Sequence, residues 1–165
     1  MKRVVVFSDS HGCKQNLLDA FGQAKLAGPI HTVVFLGDGA RDFDALRPIL
    51  LAERIQCHSV AGNNDWSSSD PDEIEFSVDG IRFFACHGHT RGVKYGRERL
   101  FYAAQERGAH VALYGHTHVP SIELDYGLFL VNPGTVGQRV SGCPAYAEIR
   151  LESGGTVIPK LVNWI

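Results

Sequence analysis

The sequence lacks a long hydrophobic run and an excess of basic residues. The charged pair Lys2-Arg3 is followed by apolar residues 4–7, but Ser8 then ends a run that is too short for a signal-peptide core or a membrane span. The formal net charge of −2 argues against nonspecific binding to nucleic-acid backbones. We therefore expect no membrane attachment and no stable nucleic-acid complex, although a nucleic-acid fragment could still be a substrate.

Cysteine is scarce as well. The four cysteines are scattered, and none forms a Cys-x-x-Cys pair. A chain of 165 residues can bury a substantial core and does not need disulfides for stability. We interpret the cysteines as reduced thiols of a cytoplasmic protein. The same length predicts a single domain over residues 1–165, because domains typically span about 100 to 150 residues.

Short apolar runs that end in polar clusters predict strands buried on both faces, and three occur early in the chain, at residues 4–7, 32–36 and 58–61. Segments with helical periodicity separate them, at residues 16–25 and 43–55. This alternation predicts an α/β fold that begins with parallel strands.

The second half of the chain predicts a different pairing. Asp79-Gly80 lies between two strand-like runs and is a strong hairpin signal, so the sheet is expected to become partly antiparallel there. A helix is predicted over residues 97–107 and a strand over 111–114. Frequent glycines in the last third predict antiparallel strands and hairpins.

Polar groups follow the strand-like runs directly. Because the carboxyl ends of parallel strands meet at one edge of a sheet, side chains far apart in sequence can meet there. Carboxylates, imidazoles and a carboxamide suit hard to borderline divalent metals. No cysteine belongs to these polar groups, which argues against a structural zinc cluster. The candidate ligands are Asp9, His11, Asp38, Asn63, His87, His116 and His118.

This set of seven exceeds what one ion accepts, so two divalent ions sharing a bridging carboxylate are predicted. We expect Mn²⁺, with Fe²⁺, Zn²⁺ and Ni²⁺ as alternatives. Taken alone, an Asp or Asn after a strand is more often a helix cap or turn residue than a ligand. The metal hypothesis rests on all seven occurring together at the same end of strands.

The chain resembles the calcineurin-like metallophosphoesterases, in the small single-domain bacterial and archaeal branch related to the retromer subunit Vps29. The matching segments are Asp9-Ser-His11, Gly37-Asp38-Gly39, Gly62-Asn63-Asn64-Asp65, His87-Gly88-His89 and Gly115-His116-Thr117-His118. The resemblance implies an α/β fold, a four-layer αββα sandwich of two mixed β-sheets flanked by helices. Asn132-Pro133-Gly134-Thr135 also resembles a late loop that lies beside the site in this family.

The resemblance also implies how the ligands divide between two ions. Asp9, His11 and His118 would hold one metal. Asn63, His87 and His116 would hold the other, and Asp38 would bridge them.

One departure concerns the leaving group. In many larger family members, the residue after the ligand Asn is a histidine that works with the following Asp to protonate the leaving group. In this chain that position is Asn64, followed by Asp65. An amide cannot act as a general acid, so His89 is the candidate substitute. The candidate catalytic residues are therefore His89, Asn64 and Asp65. Arg41, Arg91 and Arg139 are the candidate substrate-binding residues, because a guanidinium can bind a phosphate in bidentate fashion.

The function predicted from these residues is hydrolysis of a small phosphate ester, with phosphodiesterase favoured over monoesterase activity. A water or hydroxide bridging two ions would attack phosphorus in line. The alternative is a Vps29-like protein-binding scaffold that has lost catalysis, and a third hypothesis is a mononuclear regulatory protein. Such scaffolds tend to lose histidine ligands, whereas all seven positions here carry competent side chains. Homo-oligomerisation is left open.

Overall fold

Two five-stranded sheets form the centre of the computed structural model, which describes residues 1–137 and 144–164. The strands are β1 (Lys2–Phe7), β2 (Thr32–Phe35), β3 (Gln56–Ser59), β4 (Glu73–Val78), β5 (Ile81–Cys86), β6 (Val111–Leu113), β7 (Ser121–Asp125), β8 (Leu128–Asn132), β9 (Ala145–Glu152) and β10 (Thr156–Asn163). The helices are α1 (Lys14–Leu26), α2 (Ala40–Ala52), α3 (Glu98–Glu106) and a short 3₁₀ helix, η1 (His89–Arg91).

The first sheet has the strand order β10-β9-β1-β2-β3. Strands β1, β2 and β3 are parallel, with Val4 opposite Thr32 and Thr32 opposite Gln56. Strands β9 and β10 form an antiparallel hairpin that pairs with the other edge of β1. The predicted parallel start of the fold is therefore confirmed, and the carboxyl ends of three strands lie at one edge.

The second sheet has the order β4-β5-β6-β8-β7. The predicted hairpin joins β4 to β5 through Asp79-Gly80. Strand β8 differs from the antiparallel pairing predicted for the last third of the chain, because it runs parallel to β6. The chain first returns along the sheet edge as β7, so β8 re-enters between β7 and β6 in the direction of β6. Strands β5, β6 and β8 thus form a second parallel set.

Apolar side chains fill three layers between these elements. Val6, Leu36, Phe83 and Leu113 lie in the core between the two sheets. A second core packs the first sheet against α1 and α2, and a third packs the second sheet against α3. The predicted four-layer αββα sandwich is confirmed. Among the helices that the structure describes, none is both long enough and apolar enough to cross a bilayer.

Helix α2 begins three residues earlier than its periodicity predicts. It starts at Ala40, whereas the apolar pattern starts at Phe43. The residue before the helix, Gly39, has no side chain with which to cap it. Instead, the backbone N–H groups of Gly39 and Ala40 donate to the carboxylate of Asp65, at 3.0 Å each. A residue from the next loop therefore determines where the helix starts.

Candidate metal centre

Six of the seven candidate ligands meet where the parallel strands of both sheets end. Loops after β1 and β2 supply Asp9, His11 and Asp38, and loops after β5 and β6 supply His87, His116 and His118. They form two groups of three, in each of which one donor atom per residue lies within 4.8 Å of the others. The first group is Asp9, His11 and His118, and the second is Asp38, His87 and His116.

The first group is built around the buried Asp9. Its Oδ1 lies 3.1 Å from Nε2 of His118 and 3.3 Å from Nε2 of His11. The two imidazole nitrogens lie 3.1 Å from each other. One carboxylate oxygen and two imidazole nitrogens thus converge on one point, as ligands of a divalent cation must.

The second group adjoins the first through Asp38. In this group, Nε2 of His87 lies 3.2 Å from Nδ1 of His116 and 3.4 Å from Oδ2 of Asp38. The same Oδ2 lies 3.7 Å from Nε2 of His11, which belongs to the first group. Asp38 therefore faces both groups, the position that a bridging carboxylate requires.

The backbone at five of these candidate ligands has an unusual conformation. Positive φ angles occur at Asp9 (58°), His11 (46°), Asp38 (58°), His116 (70°) and His118 (64°). A non-glycine residue in this region costs about 1–3 kcal/mol and persists only where the surrounding structure holds it. Five such residues at one place mark the loops as specialised for bringing side chains together.

Asp65 holds the Asp38 loop in place. Its Oδ2 accepts hydrogen bonds from the backbone N–H groups of Asp38 (2.8 Å) and Gly62 (2.7 Å), and its Oδ1 accepts two more at the start of α2. All four donors are backbone amides. In this geometry Asp65 is a positioning residue for Asp38, and its predicted part in catalysis stays a prediction.

Two further loops support the first group. Thr135 Oγ1 donates to the backbone carbonyl of Asp9 at 2.7 Å. Asn132 Nδ2 donates to the Gly115 carbonyl at 3.1 Å and to Thr117 Oγ1 at 2.9 Å, on either side of His116. The late Asn-Pro-Gly-Thr segment therefore does lie beside the site, where it orients the loops that carry the candidate ligands.

The sequence interpretation missed Ser10 and Asp42, two residues that support the loop after β1. Buried Asp42 accepts hydrogen bonds from Ser10 Oγ (2.6 Å) and from the backbone N–H of Gly12 (2.9 Å). These contacts hold the chain on both sides of His11. Asp42 lies in the first turn of α2, just before the apolar pattern that predicted this helix, so no local signal in the sequence distinguished it from a surface carboxylate.

The carboxylates of the site are strongly biased towards the ionised form. Burial opposes ionisation of Asp9, but hydrogen bonds that Asp9 accepts from His11 and His118 outweigh it and hold the pKa of Asp9 well below its ordinary range. Burial likewise opposes ionisation of Asp38, yet contact with His87 and hydrogen bonds from Asn64 lower its pKa to about 2. Two ionised carboxylates at one place favour cation binding.

The imidazoles of the second group respond to these charges in opposite ways. Burial opposes protonation of His87, but its contact with Asp38 prevails and raises its pKa. Burial and the neighbouring His87 lower the pKa of His116 to about 4, so this ring is neutral near pH 7. His87 Nδ1 donates to the Leu36 carbonyl at 2.6 Å, which leaves Nε2 directed at Asp38. Such a hydrogen bond fixes the tautomer of a ligating histidine.

The tandem asparagines are placed differently from each other. Asn64 donates to both oxygens of Asp38, from its backbone N–H and from Nδ2, at 2.9 Å each. Asn63 is exposed, and its side chain makes no hydrogen bond within residues 1–137 and 144–164. The ligand role of Asn63 stays a prediction, and Asn64 contacts the predicted bridging residue.

His89 lies on η1 at the edge of the second group. Its ring centroid is 5.4 Å from that of His87 and 6.2 Å from that of His116. Its Nδ1 is buried and has no hydrogen-bond partner among the described residues. Burial lowers its pKa. His89 is therefore close enough to the site to contact a ligand there.

The three candidate substrate-binding arginines differ in position and in the partners of their guanidinium groups. Arg41 is exposed and lines a cavity of about 930 Å³ beside His11 and Asp38. Arg91 donates from Nε and Nη2 to the two oxygens of Glu73, at 2.6 and 2.8 Å, so its guanidinium is already occupied by a carboxylate. Its predicted phosphate contact therefore has no support from this geometry. Arg139 lies outside the described residues.

Comparison with known proteins places this geometry in context. A family model for the calcineurin-like phosphoesterase superfamily domain matches residues 1–154. A probable metallophosphoesterase of Bacillus subtilis is 27% identical over 156 residues, covering 94% of this chain and 88% of that protein. A phosphodiesterase of Methanocaldococcus jannaschii is 26% identical over 169 residues, covering 91% of this chain and 93% of that protein.

Solved structures have the same architecture. A predicted phosphoesterase from Streptococcus pneumoniae superposes with a TM-score of 0.76 at 25% identity, covering 99% of this chain and 98% of that chain. Vps29 from Entamoeba histolytica, solved as a complex with Zn²⁺, superposes with a TM-score of 0.72 at 20% identity, covering 98% of both chains. At that identity the likeness to Vps29 shows the fold alone.

Proposed function

Because this chain belongs to the calcineurin-like phosphoesterase superfamily, we propose that it is a phosphodiesterase that works with two divalent cations. The observation that carries the proposal is the position of Asp38, whose Oδ2 lies 3.4 Å from His87 Nε2 and 3.7 Å from His11 Nε2. One ion would be held by Asp9, His11 and His118, and the other by Asn63, His87 and His116. Mn²⁺ is the expected metal, with Fe²⁺, Zn²⁺ and Ni²⁺ as alternatives.

Two divalent cations bound here would lower the pKa of a water molecule towards neutrality and neutralise charge on the phosphoryl oxygens. The chain contributes side chains that are already ionised and already fixed in orientation before the cations bind. Asp9 and Asp38 enter binding already ionised, because their pKa values are depressed. The Leu36 carbonyl fixes the ring of His87, and Asp65 fixes the backbone of Asp38. Little reorganisation is then required when substrate binds.

Protonation of the leaving group is the step for which the chain offers the fewest residues, so we expect a preference for activated esters. Asn64 contacts Asp38 and cannot donate a proton as a general acid. His89 is the remaining candidate acid, because its Nδ1 is unpartnered among the described residues and its ring lies beside those of the ligands. We expect kcat/KM for aryl diesters to fall steeply as the leaving-group pKa rises, and more steeply in His89→Gln if His89 donates the proton.

The test combines metal content with turnover. The purified chain is loaded with Mn²⁺, its metal content per chain is determined, and hydrolysis of bis(p-nitrophenyl) phosphate and p-nitrophenyl phosphate is measured. We expect about two ions per chain and faster cleavage of the diester. Asp38→Asn should lose at least about a hundredfold in kcat/KM, since it removes a charge shared by both ions. Asp125→Asn, at an exposed position on β7, is the matched control and should retain full activity.

A second candidate function is the protein-binding scaffold without catalysis that the sequence resemblance left open, and the same test distinguishes it. Full occupancy by two ions with no hydrolysis of either ester would support that scaffold and overturn the phosphodiesterase proposal. A single ion per chain at saturation would instead support a mononuclear metal-binding protein.

A further inference from the structure

The cavity beside the metal centre is larger than a phosphate group requires. Its volume is about 930 Å³, within the range of about 300–1,000 Å³ that organic ligands occupy. His11 and Asp38 line it together with the loop at residues 66–70. A phosphate held at the metal centre could therefore extend its organic substituent along this loop.

Trp66 presents an unusual surface within this cavity. Its side chain is 91% exposed, although tryptophan is a highly buried residue type on average. The loop that carries it is anchored on either side, because Asp65 accepts four backbone hydrogen bonds and Ser68 N–H donates to the Asp65 carbonyl at 3.1 Å. An exposed indole on an anchored loop offers a face on which a flat ring can stack.

Among the residues that the structure describes, the cavity has two arginines, and one of them has no charged partner. Arg47 donates to Asp44 at 3.0 Å and to Asp70 at 3.2 Å, so its charge is already balanced. Arg41 is exposed and makes no ion pair or hydrogen bond within the described part of the chain. Its guanidinium is thus available to a negatively charged ligand in the same cavity as Trp66.

We propose that Trp66 and Arg41 form a subsite that selects phosphate esters with an aromatic substituent, of the chemical class of nucleotides. The nucleobase stacks on the indole, and the guanidinium neutralises negative charge on the ligand. The assignment of this ligand as a substrate rests on the proposed phosphodiesterase function. The subsite itself is defined by binding, which is measured with phosphate monoesters, the class of ester that the proposed phosphodiesterase cleaves more slowly.

Isothermal titration of the Mn²⁺-loaded protein with adenosine 5′-monophosphate and with ribose 5-phosphate isolates the base, because these probes share the sugar and the phosphate. Stacking on an aromatic side chain predicts that the nucleotide binds about tenfold more tightly. Trp66→Ala should reduce this ratio to about one, and Trp66→Phe should keep most of it. Tyr126→Ala removes an equally exposed ring outside the cavity and should leave the ratio unchanged.

Arg41→Gln tests the other half of the subsite. It should weaken binding of both probes by a similar factor, about three- to tenfold, without changing their ratio. Equal affinities in the unmodified protein, or a preference for the nucleotide that survives Trp66→Ala, would overturn the proposal.

The two proposals can fail independently of each other. A ratio that responds to Trp66, without hydrolysis of bis(p-nitrophenyl) phosphate or p-nitrophenyl phosphate at full metal occupancy, would leave the subsite standing and refute the phosphodiesterase. Hydrolysis of bis(p-nitrophenyl) phosphate together with equal affinities for the two probes would support the phosphodiesterase and refute the subsite.

Discussion

Gly62 stands where a side chain would displace the predicted bridging carboxylate. A Cβ atom added there would lie 2.5 Å from the backbone nitrogen of Asp38 and would clash with its Oδ1. We expect Gly62→Ala to weaken Mn²⁺ binding at least about tenfold, because the backbone carrying Asp38 must move. Equilibrium dialysis against Mn²⁺ measures this.

The matched control for that change is Gly22→Ala, in the interior of α1, where an added Cβ has no neighbour within 4 Å. It should leave Mn²⁺ affinity unchanged and stabilise the chain by about 0.5–1 kcal/mol, because alanine favours the helix. Unaltered Mn²⁺ binding in Gly62→Ala would show that the Asp38 loop does not depend on this glycine.

Asp65 can be tested as a positioning residue by substitution with asparagine. Its carboxylate accepts four backbone hydrogen bonds, and an amide offers one acceptor oxygen together with an NH₂ group that opposes the other donors. We expect Asp65→Asn to lower the free energy of unfolding by about 2–3 kcal/mol in urea titrations, and to weaken metal binding in parallel.

Asp19→Asn changes an exposed carboxylate on α1 and should shift the free energy of unfolding by less than about 0.5 kcal/mol. A fully stable Asp65→Asn variant with unchanged metal affinity would show that the loops hold Asp38 without it.

At the scale of elements, the pair Arg91–Glu73 connects η1 to β4 with two hydrogen bonds of 2.6 and 2.8 Å. The Arg91 contact lowers the pKa of Glu73. The folded state therefore binds this proton less readily than the unfolded state, and the pair stabilises the fold above the ordinary glutamate pKa of about 4.3. This stabilisation is lost as the pH falls through the lower pKa of the folded state.

Glu73→Gln should therefore reduce stability by about 1–2 kcal/mol at pH 7, and its difference from the unmodified chain should shrink as the pH falls below about 4. Urea titrations between pH 3 and pH 7 would show it. Glu75→Gln, on the same strand, removes a more exposed carboxylate that lies 3.7 Å from Arg107, and should change stability little at any pH. A pH-independent deficit in Glu73→Gln would contradict the ionic origin of the effect.

At the scale of the whole molecule, the candidate metal centre lies between loops of the two sheets. The loops of the first sheet supply Asp9, His11 and Asp38, and those of the second supply the three histidines His87, His116 and His118. Ions bound there would link both layers and bind the folded chain alone. Their binding free energy should therefore appear as folding stability.

Free Mn²⁺ at about 100 times its Kd should stabilise the chain by about 2.7 kcal/mol for one site, which corresponds to a rise in Tm of about 5–10 °C. Differential scanning calorimetry measures this, and a chelator should reverse it. Asp38→Asn should lose most of the rise. An equal rise in both proteins would place the stabilising ion elsewhere.

The sequence by itself determined the family, the fold class and six candidate ligands that the structure brings together. Strand runs that end in Asp, His and Asn motifs are local signals, and the resemblance based on them is confirmed by the family match over residues 1–154. Six of the seven candidate ligands indeed converge, because parallel strands carry their carboxyl ends to one edge in each sheet. The single domain over residues 1–165, the native metal and the cytoplasmic location stay predictions.

Only the tertiary structure decided which polar groups support the site and which are occupied elsewhere. Asp65 caps α2 and fixes Asp38, Arg91 is paired with Glu73, and Trp66 is exposed beside the centre. Strand β8 likewise runs parallel to β6 because of a hairpin at the sheet edge. Hydrogen bonding and burial depend on which distant segments meet, and the residue types and their local spacing carry no record of that.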